Sequence, residues 1–79
     1  MAKDSKILIE HLVAAERHVT LAQEQIKRQR GLIEVLRADG HDTEETRALL
    51  LELEKCLLMH ETDRDRLRGE LGLEMVPPA

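Results

Sequence analysis

The stretch Ala38-Asp39-Gly40-His41-Asp42-Thr43 ends one long pattern of apolar residues and begins another, so the chain reads as two helices joined by a single turn. Gly40 stands where a helix closes in a left-handed residue, a conformation glycine adopts without steric cost. Arg37, in the preceding turn, suits the negative end of that helix. Beyond the glycine, Asp42 or Thr43 is placed to accept a hydrogen bond from the free amides of a second helix. Glu44 and Glu45 lie at that helix's positive end, and Glu45 follows Asp42 at the spacing of a capping box. The predicted elements are helix one over about 5–39, a turn at 40–42 and helix two over about 43–70.

Working outward from the turn, apolar or small residues recur at alternating spacings of four and three. In helix one they are Leu8, Leu12, Ala15, Val19, Ala22 and Ile26, continued by Gln29, Ile33 and Leu36. Helix two repeats the stripe with Leu50, Leu53, Leu57, His60, Arg64, Leu67 and Leu71. If the chain reverses at the turn, the stripes meet in register: Ile33 comes near Leu50, Ile26 near Leu57, Ala22 near His60 and Leu12 near Leu71. The predicted fold is all-α, an antiparallel two-helix hairpin of coiled-coil character spanning 1–72. Its helices are roughly 50 and 40 Å long at 1.5 Å per residue.

The charges agree with this reversal. Lys27, Arg28, Arg30 and Arg37 come alongside Glu44, Glu45, Glu52 and Glu54, and at the far end Glu10 and Glu16 run beside Arg64, Arg66 and Arg68. An exposed ion pair contributes about 0.2–1 kcal/mol, so the pattern sets orientation more than stability. The 73–79 tail leaves the helix, because Pro77 and Pro78 cannot continue it and Gly72 is suited to cap it. It reads as a flexible end, with docking of Leu73, Met75 and Val76 on a partner's groove as the alternative.

Seventy-nine residues make one domain, and two helices of this length bury little apolar surface on their own. The chain contains no Phe, Tyr or Trp, so the rings that anchor small cores or stack on nucleic-acid bases are missing. One cysteine excludes an internal disulfide, and no apolar run is long enough for a bilayer. Glu10 and His11 interrupt the N-terminal apolar stretch, and no small-residue cleavage site follows, so the N-terminus reads as mature and the protein as cytoplasmic.

Several apolar residues fall off the seam. Ile7, Leu21, Leu32 and Val35 lie on one flank of helix one, where Leu32 should meet Leu49 and Gln25 should meet Cys56 across the hairpin. Leu51, Leu58 and Met59 lie outside the seam of helix two. The opposite flank is polar, with Glu16, Gln23, Arg30, Glu54, Glu61 and Arg68. Isolated surface leucines are ordinary, but here they cluster in a chain with an undersized core. Self-association through Leu32, Val35, Leu49, Leu51, Cys56, Leu58 and Met59 is expected, as a homodimer forming a four-helix bundle.

The same flank carries the one group with chemical potential. His18 is expected opposite Asp63, and His11 opposite Glu70, with His60 one turn before Asp63. His18, His60 and Asp63 could hold a transition metal between facing helices, or the His–acid pairs could tighten the hairpin on protonation. Against this, no HExxH, CxxC or Glu-x-x-His pattern is present, so partly exposed His–acid pairs are the plainer reading and no metal or other cofactor is assigned. Cys56 reads as a small buried hydrophobe, with a reactive thiol or an intersubunit disulfide as the alternative. The glycines are scattered rather than gathered in a phosphate loop, and a rod of two helices supplies no oxyanion donors, so no enzymatic activity is expected. Lys27, Arg28 and Arg30 form a short basic patch, but a net charge of −4 works against nucleic-acid binding. Mixed charge without aromatic anchors works equally against a membrane surface.

Arg28-Gln29-Arg30, the turn Asp39-Gly40-His41-Asp42-Thr43, Arg47-Ala48-Leu49-Leu50 and the later His60 with Asp63-Arg64-Asp65-Arg66-Leu67 together resemble a set of short helical-hairpin proteins from uncharacterised reading frames of alphaproteobacteria. The resemblance runs from about His11 to Leu71. It implies a small bacterial hairpin protein and carries no assigned activity or catalytic residues. The functional expectation is a small interaction module, a self-associating adaptor or regulator acting by helix–helix contact.

Overall fold

A helix that must stop and reverse within a few residues needs its last carbonyls satisfied, and the computed structural model shows how this chain does it. The structure describes residues 2–73, with side chains from residue 5. Helix α1 runs Ala2–Ala38 and α2 runs Glu44–Glu70. At the end of α1, Gly40 takes a φ of 78°. Its amide then donates to the carbonyl of Arg37 at 3.1 Å and that of His41 to Leu36 at 2.9 Å, the double closure of a Schellman motif. The same device ends α2: Gly72 has a φ of 72°, with its amide on Gly69 and that of Leu73 on the Arg68 carbonyl at 2.7 Å.

The start of α2 resolves the choice between the two capping candidates. Asp42 Oδ1 accepts from the Glu44 amide at 3.0 Å, whereas the Thr43 side chain makes no capping bond. Thr43 is nonetheless the N-cap by position, its carbonyl accepting from the Arg47 amide and the Thr46 hydroxyl, both at 2.9 Å. With the cap at Thr43, the third helical residue is Thr46, so Glu45 does not close the capping box expected from its spacing to Asp42. Helix α1 also begins three residues before the expected Ser5. Nothing between Ala2 and Ser5 is a glycine or proline, so the helix propagates through it.

The two helices pack along one seam. Leu12, Ala15, Val19, Ala22, Ile26 and Ile33 are buried on α1, but on α2 only Leu67 is. Ala15 and Ala22 vanish under one partner helix, while Leu50, Leu53 and Leu57 of α2 stay half-buried. Leu12, Ala15 and Leu67 form the densest knot, with Leu8 and Leu71 packed against it at the end away from the turn. The polar layer at Gln29 is satisfied: its side-chain amide donates to the Thr46 carbonyl at 2.8 Å, using the second lone pair of a helical acceptor. Among the described residues no buried side-chain polar atom lacks a partner. The Cα extents of 58 × 32 × 14 Å describe a thin, flat rod.

Two cross-hairpin ion pairs match the expected orientation, Glu16–Arg68 at 2.9 Å and Arg30–Glu54 at 3.1 Å. Both lie on the polar flank. The remaining pairs are local to one helix, as in Glu34–Arg37 at 3.2 Å. No helix of the described residues is long and apolar enough to cross a membrane. Met75 and Val76, with the rest of 74–79, lie outside the described residues, and the expectations for a flexible or docking tail fall there.

The two non-equivalent glycines of α1 and the turn give opposite expectations. A Cβ at Gly31 meets nothing within 4 Å, so Gly31→Ala should raise the unfolding free energy by about 1 kcal/mol through helix propensity alone. Gly40→Ala should lower it by about 1–2 kcal/mol, because the left-handed backbone is then strained. Urea titration followed by circular dichroism reads both signs.

Candidate functional site

A helix presents its side chains at about 100° per residue, so residues spaced four and three apart line a second stripe beside the seam. On α1 this stripe is Ile7, Leu21, Leu32 and Val35, interspersed with His11, His18 and Arg28. Leu32 is 45% exposed and Val35 58%. On α2 the facing positions are Leu49, Cys56 and Met59, with Leu49 50% and Met59 69% exposed. Leucine, valine and methionine side chains at these levels of exposure leave roughly half their transfer free energy ungained, and burying one fully is worth about 1.5–3 kcal/mol.

Cys56 is exposed, which corrects its reading as a small buried hydrophobe. The reason lies in its placement. It sits beside the seam, where a single hairpin has no third element to cover it.

The seven residues expected to carry self-association divide into two groups. Leu32, Val35, Leu49, Cys56 and Met59 share the stripe just described. Leu51 and Leu58 lie about 80–160° around α2 from Met59 and Cys56, on the side leading toward the polar flank. Leu58 and Met59 border a shallow open depression with Thr62, Asp63 and Arg66, and Val13 and Leu21 border another with Glu16, Arg17 and Thr20. A third groove, on the polar flank, is lined by Gln23, Ile26, Lys27, Arg30, Glu54 and Leu57, where the Arg30–Glu54 pair closes over the seam.

The histidine group is arranged differently from its expected pairing. His18 packs against His60, the ring centroids 5.1 Å apart and tilted by 45°. Asp63 is turned away to Arg66 at 2.7 Å, and Glu70 reaches the same guanidinium at 3.0 Å. Both acids assigned to His18 and His11 are therefore engaged by one arginine, which lies one turn from each along α2. The Asp63 hydrogen bond, and then that of Glu70, raise the Arg66 guanidinium further above its already high ordinary value. Among the described residues no group of three or more His, Cys, Asp or Glu side chains is assembled to hold a metal ion. Arg66 was read only as part of a charge run; its spacing of three from Asp63 and four from Glu70 was the available signal. The turn residue His41 is exposed.

No protein-family model, no curated protein and no solved structure matches this chain. The stripe and the histidine pair have to be interpreted from their own chemistry.

His60 is half-buried in the seam opposite the small Ala22, whereas His18 is exposed. His60→Leu should raise the stability of the hairpin by about 1 kcal/mol, by exchanging a polar ring for apolar packing. His18→Leu should change it by less than about 0.5 kcal/mol. Thermal unfolding of the two variants at neutral pH separates them, and equal effects would mean that the two rings are equally buried in solution.

Proposed function

We propose that this chain is a small, non-enzymatic protein–protein interaction module that self-associates and acts by helix–helix contact, as an adaptor or a regulator of another protein. The observation that carries this reading is the exposed apolar stripe of Leu32, Val35, Leu49 and Met59, continued at helical spacing by Leu21 at 54% exposure. Scattered surface leucines need no explanation, but a stripe shared by two adjacent helices is a surface in want of a partner helix. A second hairpin laid on it completes a four-helix bundle and turns one seam into a closed core.

Shape supports the non-enzymatic part of the proposal. A rod 14 Å thick in its thinnest Cα dimension has no interior from which water is excluded around a reacting group. The depressions along it are open, and their linings are mostly aliphatic or ion-paired.

Sedimentation equilibrium over a wide concentration range tests the proposal. The unsubstituted chain should reach twice its monomer mass. Leu32→Glu combined with Leu49→Glu should return it to the monomer while circular dichroism still reports helix. A chain that stays monomeric up to millimolar concentration overturns the reading, as does a dimer indifferent to these substitutions.

A further inference from the structure

The apolar stripe is uneven along the hairpin, and that unevenness selects one way of joining two copies. Near the turn it carries Leu32, Val35, Leu49, Cys56 and Met59. In the far half the corresponding positions are mostly polar, His11, His18, Asp63, Arg66 and Glu70 beside Ile7, with Asp63, Arg66 and Glu70 tied together by ion pairs of 2.7 and 3.0 Å. We infer that the partner of this stripe is a second copy related by a twofold axis along the hairpin, with both turns at one end, α1 antiparallel to α2 of the other copy, and Arg28 facing Glu52 across the interface. The inference rests on the self-association proposed above and specifies its geometry.

The register within one hairpin fixes which residues share a level. Ala15 packs with Leu67, and Glu16 and Arg30 bond Arg68 and Glu54. An axis along the hairpin preserves these levels, so each α1 residue meets residues of the other copy's α2 at the level of its own. Leu21 then comes level with Met59, and Ile7 with Leu73, all four of them exposed. Arg28 comes level with Glu52 of the second copy. Arg28 has no ion-pair partner among the described residues, and Glu52 is held only by Lys55 at 3.3 Å on the surface. Apolar halves meet apolar halves, and the one basic residue in the α1 stripe near the turn meets an acid.

Placing the turns at opposite ends loses these matches. With full overlap, Glu52 comes level with Glu70 of the other copy and Leu32 with His11. With overlap limited to the turn halves, Arg28 comes level with Arg28 of the other copy. Like charges facing across a partly dehydrated seam are destabilising.

The test is a charge exchange between copies. Arg28 and Glu52 are exposed, so Arg28→Glu and Glu52→Arg should leave each hairpin folded, which circular dichroism verifies. Each single variant alone places like charges across the interface twice, and its dimer should be about tenfold weaker by sedimentation. An equimolar mixture restores both pairs in the mixed dimer, which should form as tightly as the dimer of the unsubstituted chain. A dimer that neither variant weakens overturns this arrangement while leaving self-association standing, and so does one that only Arg28→Glu or only Glu52→Arg alters. An unsubstituted chain that remains monomeric overturns both.

Discussion

Two helices can cover only one stripe of each other, and nearly everything in this structure follows from that limit. One seam buries seven apolar side chains, and only one of them comes from α2. Ala15, Val19 and Ala22 of α1 are enclosed by a single neighbour, as are Leu12 and Leu67, which pack on Ala15 at the end away from the turn. Leu50, Leu53 and Leu57 of α2 stay half-buried. The same limit explains why polar groups are tolerated in the seam: Gln29 reaches a backbone carbonyl, and Arg64 keeps its guanidinium at the surface on Asp65 at 3.0 Å.

Charge does a different job from burial here. The two pairs that cross the hairpin, Glu16–Arg68 and Arg30–Glu54, are partly exposed and add little stability. Their contribution is to orientation and register, since a parallel or slipped pairing brings like charges together. At the other flank, Arg66 gathers Asp63 and Glu70, the two acids expected opposite His18 and His11. An arginine is the better partner for a carboxylate at this spacing, because its planar fork donates to both acids while remaining charged.

The hairpin, its turn and its register are legible in the sequence, because each rests on local chemistry. Gly40 signals a left-handed closure, the spacing of Leu8 through Leu36 signals one seam, and the charges choose antiparallel pairing. The apolar flank was legible for the same reason, as a second stripe beside the first. The grouping within it follows from angle and not from residue type: Leu51 and Leu58 share the flank's composition but stand on another side of α2 at 100° per residue. Cys56 was misread because burial of a small apolar side chain depends on how many elements surround it, and spacing does not count neighbours.

By itself, the sequence determined where the helices stop, which faces are apolar and which way the chain turns, since backbone closure at Gly40 and periodicity at 3.6 residues per turn are properties of short segments. Only the tertiary structure decided which of several available partners each polar group takes. The side chain of Asp42, and not that of Thr43, accepts from the first amide of α2; His18 meets His60; Asp63 and Glu70 go to Arg66. Those choices are competitions among neighbours at nearly equal reach, settled by side-chain geometry within an ångström or two, and residue spacing resolves position only to the level of a helical turn.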